Sequence, residues 1–183
     1  MERIASKLMF HSAACAPIDS DFLFQVSLNR DRMGGFMAVP RSFSPCFALV
    51  VSEYNRAYTD ALLASAQSAL SGHELKIVRV PGAYEIPLQV QRLARTKKYA
   101  AVLALGLIWQ GRTLHAQEIL RAVTDALMRI SLETDVPVLH EVLAIKSEAE
   151  ARARCMGNKL NRGREAAEAA LSLVLGPQPQ RNN

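Results

Sequence analysis

Short apolar runs of strand length alternate with helix-like patterns along most of this chain. Four runs have the length and apolar character of buried strands, at residues 47–51, 75–80, 100–106 and 136–145. Apolar residues recur at helical spacing between them, which predicts helices at about 61–70, 116–133 and 162–175, and shorter ones beginning near 85 and 148. Strands that alternate with helices imply a parallel sheet. We therefore expect an α/β fold, a small doubly wound three-layer domain with a four-stranded parallel sheet.

The pattern also suggests where the folded domain lies within the 183 residues. Residues 1–45 lack clear periodicity and are expected to be a flexible N-terminal extension, although a start of translation near Met37 is an open alternative. Residues 46–176 are expected to form one domain. The polar residues 177–183 are expected to be a tail, since Gly176 and Pro177 end the last helix.

Composition excludes several classes of protein. No apolar run reaches the ~20 residues that a membrane-spanning helix needs, so we expect no membrane association. The net charge is +5, but the basic residues are scattered and only 6% of residues are aromatic, which argues against nucleic-acid binding and favours anionic small molecules. Three widely spaced cysteines without a CxxC pair indicate a reducing compartment, and we expect a cytoplasmic protein.

The segment from Gly106 to His115 is the strongest candidate for a functional loop. It follows a predicted strand and precedes a predicted helix, which is where open α/β sheets place their ligands. Gly106 and Gly111 allow a ligand to approach the backbone, and free N–H groups at a helix start attract anions. Arg112 adds a positive charge, while His115 is either a proton-transfer group or an ordinary surface histidine.

Other candidate chemistry is weaker. His140 and Glu141 resemble a metal pair, but neighbouring residues on a strand point to opposite faces, so we expect no metal site. Cys155 is a weak candidate for a catalytic thiol. The phosphate-binding P-loop motif, the dinucleotide-binding motif and the HExxH zinc motif do not occur in the sequence.

Five ordered segments resemble the lumazine synthase family. Residues 80–87, VPGAYEIP, resemble that family's VPGAFEIP signature. Residues 50–55 resemble the family's first strand with its aromatic-Asn turn, and residues 104–115 resemble its ALGxVIRGxTxH loop. Residues 136–139 resemble its fourth strand, and residues 161–167 resemble its NKGxEAA helix start. The resemblance covers about residues 46–175 and implies a flavodoxin-like fold.

The resemblance implies an enzyme of riboflavin synthesis. The family condenses a ribitylamino-pyrimidinedione with 3,4-dihydroxy-2-butanone 4-phosphate, forming 6,7-dimethyl-8-ribityllumazine, phosphate and water. It needs no cofactor and no metal. It builds its active site between neighbouring subunits of a pentamer, which implies a homo-oligomer here, with a pentamer, a decamer and a larger capsid left open.

The resemblance also assigns roles to residues of this chain. His115 is expected to shuttle protons, since an imidazole can both donate and accept a proton near neutral pH. Three residues are expected to bind phosphate: Arg112, Thr113 and Arg154. The residues expected to bind the ribityl chain and the heterocycle are Tyr54, Ala83, Tyr84, Glu85, Leu107, Ile108, Trp109 and, from the adjacent subunit, His140.

The chain departs from the family pattern at several positions near the expected site. Trp109 replaces an isoleucine, Gln110 an arginine, His140 an aromatic residue and Arg162 a lysine, and residues 116–118 replace an aromatic-acidic-aromatic run. An alternative function is therefore a flavin- or lumazine-binding oligomer of the same fold with weak catalysis. A third alternative is a flavodoxin-like regulatory domain. The sequence argues against it, because the acidic cluster that such a domain carries at its strand ends is missing.

Overall fold

The computed structural model describes residues 45–176. The four strands are β1 Cys46–Ser52, β2 Glu74–Val80, β3 Ala101–Trp109 and β4 Val138–Ile145. The five helices are α1 Arg56–Ala69, α2 Ile86–Arg95, α3 His115–Thr134, α4 Glu148–Cys155 and α5 Arg162–Leu175. A 3-10 turn at Ala83–Glu85 leads into α2. The predicted N-terminal extension, apart from residue 45, and the whole polar tail lie outside the described residues.

The four strands form one parallel sheet in the order β2-β1-β3-β4. The chain moves from β1 to one neighbour, β2, and then crosses to the other neighbour, β3. The order therefore reverses between β1 and β3, and ligands of open α/β sheets bind outside the carboxyl ends of the strands at such a switch point. The expected α/β fold with a four-stranded parallel sheet is confirmed.

Apolar side chains fill both faces of the sheet. On one face, Phe47 and Leu103 belong to a buried cluster with residues of α1, α4 and α5. On the other face, Val50 and Val102 belong to a second cluster with residues of α2 and α3. Every residue of β1 is buried, as expected for a central strand covered on both faces. The expected three-layer, doubly wound arrangement is therefore present.

Local signals set several element ends. Ser147 caps α4 by accepting a hydrogen bond from the backbone N–H of Glu150, as the sequence predicts. Asp135, in the left-handed region at φ 53°, ends α3. Over residues 45–176, the structure contains no helix that is long and apolar enough to cross a membrane.

Strand β3 is longer than its apolar pattern predicts. The sequence places its end at Gly106, but the strand continues to Trp109 because its last residues pair with β4, from Gly106 opposite Val142 to Trp109 opposite Ile145. The loop that precedes α3 is correspondingly shorter. Leu107, Ile108 and Trp109 therefore belong to a strand and not to a flexible loop.

Candidate active site

The end of β1 lies directly beside the turn that follows β2. The backbone N–H of Glu53 donates to the carbonyl of Val80 at 2.8 Å, and that of Tyr54 donates to Pro81 at 3.1 Å. These bonds continue the β1–β2 pairing past the ends of both strands. They place Tyr54, whose side chain is 72% exposed, next to the residues 81–85.

The 3-10 turn Ala83–Glu85 presents polar and aromatic groups to solvent. The turn contacts β3 and α3, so it lies over the middle of the sheet edge. Tyr84 is 64% exposed, and Glu85 is exposed as well. A methyl group on Gly82 would lie 3.0 Å from Oε2 of Glu85, which shows that this carboxylate lies over the glycine. The turn therefore offers a ring and a carboxylate at the same edge as Tyr54.

Gly106 on β3 lies close to side chains of three neighbouring elements. A methyl group at this position would lie 3.2 Å from Cδ1 of Ile86, 3.2 Å from Cγ1 of Val142 and 3.4 Å from Oγ of Ser52. The sequence predicts that Gly106 allows close approach of a ligand, and the structure gives this glycine a packing reason as well. Gly111, by contrast, has open space around it.

The last three residues of β3 point in alternate directions. The side chain of Leu107 is 1% exposed and packs in the core with α1 and α5. Ile108 is partly buried against the opposite core, and Trp109 is 37% exposed. The three side chains therefore do not line one surface, and Leu107 has only its backbone to offer a ligand. This result refines the expectation that all three residues line one pocket.

Asn55, which the sequence does not predict to be a site residue, links the two central strands. Its Nδ2 donates to the carbonyl of Leu107 at 2.8 Å, and its Oδ1 accepts from Nε1 of Trp109 at 3.0 Å. The Trp109 ring also meets the ring of Tyr58 edge to face, with centroids 5.7 Å apart. The available signal was an Asn between a strand end and a helix, which is ordinarily only a turn residue.

The start of α3 combines basic side chains with free backbone N–H groups. Arg112, Thr113 and His115 are exposed, and His115 is the first residue of α3. No side chain caps this helix, whereas Ser147 caps α4 and Asn161 caps α5. Uncapped N–H groups at a helix start attract anions. The loop can therefore hold a phosphate-sized anion beside a histidine.

His140 and Glu141 point to opposite faces of β4, as the sequence predicts. Nε2 of His140 lies 2.8 Å from Oγ1 of Thr124 on α3. The carboxylate of Glu141 is buried on the other face and binds Arg162. Within residues 45–176, no group of three or more His, Cys, Asp or Glu side chains is placed to hold a metal ion.

Arg154 and Cys155 lie at the end of α4. Arg154 is partly buried. Burial raises the pKa of the Glu141 carboxyl, and the positive charges of Arg162 and, to a lesser extent, Arg154 oppose that rise. Cys155 is buried, and burial raises the pKa of its thiol to about 11. A thiol with that pKa stays protonated at neutral pH, so Cys155 is a core residue and not a nucleophile.

Comparison with known proteins identifies the family of this chain. A family model described as 6,7-dimethyl-8-ribityllumazine synthase matches residues 44–177, which contain the whole sheet and all five described helices. The protein of that name from Xanthomonas euvesicatoria pv. vesicatoria (strain 85-10) is 39% identical over 133 residues, covering 70% of this chain and 86% of the relative. The protein of the same name from Stenotrophomonas maltophilia (strain R551-3) is 40% identical with the same coverage. The resemblance found in the sequence is confirmed, and the chain belongs to the lumazine synthase family.

Proposed function

We propose that this protein is a lumazine synthase of riboflavin biosynthesis. It condenses 5-amino-6-ribitylamino-pyrimidinedione with 3,4-dihydroxy-2-butanone 4-phosphate, forming 6,7-dimethyl-8-ribityllumazine, phosphate and water. The observation that carries the proposal is the edge of the sheet at the β1–β3 switch point. There, two exposed aromatic rings, a carboxylate, and a basic loop with a histidine occupy neighbouring strand ends in a member of this family.

The pyrimidine substrate binds at the Tyr54 side of this edge. The exposed ring of Tyr54 stacks on the heterocycle, since an exposed aromatic face favours a flat ligand. The backbone and side chains of Ala83, Tyr84 and Glu85 hold the ribityl chain, with the Glu85 carboxylate accepting hydrogen bonds from its hydroxyl groups. The end of β3 borders the site with the backbone of Leu107, with the side chain of Ile108 on one face of the strand and with the Trp109 ring on the other.

The phosphate of the second substrate binds at the start of α3. The free N–H groups of the uncapped helix and the side chains of Arg112 and Thr113 surround the anion. Arg154, from the end of α4, completes the cradle, where its planar guanidinium suits two-point contact with phosphate oxygens. The second substrate is thereby oriented for attack by the amine of the first, which converts a bimolecular step into an intramolecular one.

His115 transfers protons between the reacting groups. Imine formation, loss of phosphate and ring closure each require proton transfer, and an imidazole serves in both directions near neutral pH. His115 stands at the first position of α3, one residue after the phosphate-binding loop, and its side chain is exposed. These features support a role for His115 as the proton carrier beside the departing phosphate.

The protein works as a cytoplasmic homo-oligomer built on pentamers, with a decamer as one larger form. The described part of α2 and α3 exposes Leu88, Met128 and Leu132 at 56%, 62% and 76%, and a groove runs between the two helices. Exposed apolar residues of this size favour contact with another subunit. In the pentamer, β4 of the adjacent subunit closes the heterocycle site with its Leu139 and His140.

A turnover assay with both substrates tests the proposal. Lumazine formation should exceed the rate in buffer, and His115→Ala should reduce kcat by about 10²–10⁴-fold. His73→Ala, a histidine at the amino end of β2, is the matched control and should leave kcat unchanged. A wild-type rate no faster than buffer would refute the enzyme assignment. Light scattering gives the mass of the assembly, and a monomer would refute the oligomer.

A second candidate function is a flavin- or lumazine-binding oligomer with weak catalysis. The observation that favours it is Trp109, a large ring held at the end of β3 where the family has an isoleucine. An added aromatic wall favours retention of flat ring systems, including the product. Riboflavin that binds more tightly than the pyrimidine substrate, together with slow turnover, would support this function over the first.

A further inference from the structure

Asn55 occupies the N-cap position of α1 but does not cap the helix. Its backbone lies in the left-handed region, with φ 61° and ψ 41°, and its side chain makes no hydrogen bond to the first turn. An Asn at this position ordinarily accepts a hydrogen bond from the helix N–H groups. Here the side-chain amide instead reaches β3, where it binds the Leu107 carbonyl and the Trp109 indole. We call these two hydrogen bonds the Asn55 clamp.

The chemistry of the two partners fixes the orientation of the Asn55 amide. A backbone carbonyl only accepts hydrogen bonds, and an indole N–H only donates one. Nδ2 must therefore face Leu107, and Oδ1 must face Trp109. Turning the amide over would break both bonds, so the clamp has a single arrangement.

The clamp lies at the topological switch point of the sheet. The β1–β3 pairing ends at Val51 opposite Leu105, and Leu107 lies two residues further along β3. The Asn55 side chain thus continues the contact between these strands after the β1 backbone has turned away. Tyr54 immediately precedes Asn55 and is tied by its own N–H to Pro81. The clamp therefore connects the turn that carries Tyr54 to the end of β3.

The Trp109 indole is held from two directions. Asn55 binds its N–H, and the Tyr58 ring on α1 meets it edge to face at an interplanar angle of 82°. At 37% exposure, the ring still presents part of its surface to solvent. An isoleucine, as found in the family pattern, has no N–H with which to join such a clamp.

We propose that Asn55 is a positioning residue that sets the separation between Tyr54 and the Leu107–Trp109 end of β3, and thereby the selectivity for the heterocyclic substrate. This inference rests on the proposed function, because it takes these two groups as the walls of the heterocycle site. The ligands it concerns are flat pyrimidine-derived rings, namely the pyrimidinedione substrate, the lumazine product and riboflavin. We expect Asn55 to have no influence on binding of the phosphate substrate, whose proposed site is at the start of α3.

The test compares Asn55→Ala with the wild-type protein on both substrates. KM for the pyrimidinedione should rise about fivefold to tenfold, as expected for loss of a hydrogen-bonded support, and the Kd for riboflavin should rise in parallel. KM for the butanone phosphate should change by less than about twofold, because its proposed site at the start of α3 is separate from the clamp. Trp109 is the only tryptophan in the chain, so its emission in ligand-free Asn55→Ala should shift to longer wavelength as the indole gains water.

Two further variants separate positioning from general damage. Trp109→Phe keeps an aromatic ring but removes the N–H, and the effect of Asn55→Ala on riboflavin binding, followed by flavin fluorescence, should be smaller in that background. Asn161→Ser retains a capping hydroxyl at the start of α5 and is the matched control, which should leave the ratio of the two KM values unchanged.

The outcomes distinguish the clamp from the proposed function. Asn55→Ala would overturn the clamp if it raised both KM values equally or left the Trp109 emission unchanged. Full additivity of Asn55→Ala and Trp109→Phe would also overturn it. If the wild-type protein has no turnover, the proposed function fails, while the emission shift and the riboflavin titration still decide whether Asn55 positions Trp109.

Discussion

Arg162 on α5 binds both carboxylate oxygens of Glu141 on β4, with Nε–Oε2 and Nη2–Oε1 distances of 2.9 Å each. The Glu141 side chain is 8% exposed, and Nη1 of Arg162 also binds Glu165 at 2.6 Å. Burial raises the pKa of the Glu141 carboxyl even though the Arg162 guanidinium opposes the rise. The pair therefore attaches α5 to the sheet and gives a carboxyl group in a poorly solvated place a two-point partner.

Removal of Arg162 is expected to destabilise the fold. Arg162→Ala leaves Glu141 buried without its main partner, and the free energy of unfolding should fall by about 2–3 kcal/mol, since the arginine is itself partly exposed. Urea unfolding at one protein concentration measures the change. Arg152→Ala, which breaks an exposed pair with Glu148, is the control and should cost far less stability than Arg162→Ala.

The loss of stability caused by Arg162→Ala should depend on pH in a defined direction. A carboxyl pKa that is higher in the folded state than in the unfolded state makes the folded protein bind protons more tightly, so stability falls as pH rises through the folded pKa. Without Arg162 the Glu141 pKa rises further. Arg162→Ala should therefore lose more stability at pH 8 than at pH 5, and equal losses at both would contradict the assignment.

His140 is expected to make the protein sensitive to mild acid. Oγ1 of Thr124 donates its hydrogen to the Leu120 carbonyl at 2.8 Å, so its oxygen accepts from Nε2–H of His140. Nδ1 of His140 accepts the Val142 N–H at 3.3 Å, and a second proton on the ring would displace that bond. Burial lowers the pKa of His140 below its ordinary value of 6.5. The folded state therefore favours the neutral ring.

The consequence is a loss of stability below about pH 6.5. Between the folded and the unfolded pKa, only the unfolded chain takes up the proton, so stability falls as pH drops through this range and then levels off. His140→Phe should flatten this part of a plot of thermal midpoint against pH. Burial also lowers the pKa of His73, so part of the slope should remain. An unchanged slope would show that His140 is not the responsible group.

The element types could be predicted from the sequence because local apolar spacing decides them. The burial of β1 on both faces and the cap at Ser147 both follow from short patterns. The end of β3 could not be predicted, since its last residues are strand only because β4 pairs with them. That pairing joins residues 36 positions apart, from Gly106 to Val142, and no local pattern reports it.

The candidate site divides in the same way. The family signature places Tyr54, Glu85 and His115 at one edge, and the topology brings their elements together there. The role of Asn55 could not be predicted from the sequence, because its partners, Leu107 and Trp109, lie 52 and 54 residues away. When a side chain bonds to a distant strand and not to its own helix, the residues next to it in the sequence do not reveal that contact.

Loss of a phosphate-binding arginine should raise KM for the butanone phosphate without raising KM for the pyrimidinedione. Arg112→Ala and Arg154→Ala should each raise KM for the butanone phosphate by about tenfold or more, since a charge-assisted hydrogen bond is worth roughly 1.5–3 kcal/mol. KM for the pyrimidinedione should stay near the wild-type value, because neither residue faces Tyr54's side of the edge in the proposed site. Arg152→Ala is the matched control on α4. A rise in both KM values would contradict the cradle.

Gly163 should be the most sensitive of three glycines to substitution by alanine. A methyl group on Gly163 would clash with the backbone carbonyl of Leu62, because α5 packs closely on α1 at this point. At Gly106 the same group would meet only side-chain atoms of Ile86, Val142 and Ser52 at 3.2–3.4 Å, which can shift. Gly111 has open space around it and no positive φ.

The three substitutions should therefore form a graded series. Gly163→Ala should lower the free energy of unfolding by about 3 kcal/mol and Gly106→Ala by about 1 kcal/mol, in the range expected for overpacking. Gly111→Ala should have no cost, and a small gain of about 0.5 kcal/mol is expected from the stiffer unfolded chain. Urea midpoints at one protein concentration measure all three, since an oligomer gains stability with concentration. A Gly163→Ala protein as stable as Gly111→Ala would show that α5 does not pack against α1 through a glycine contact.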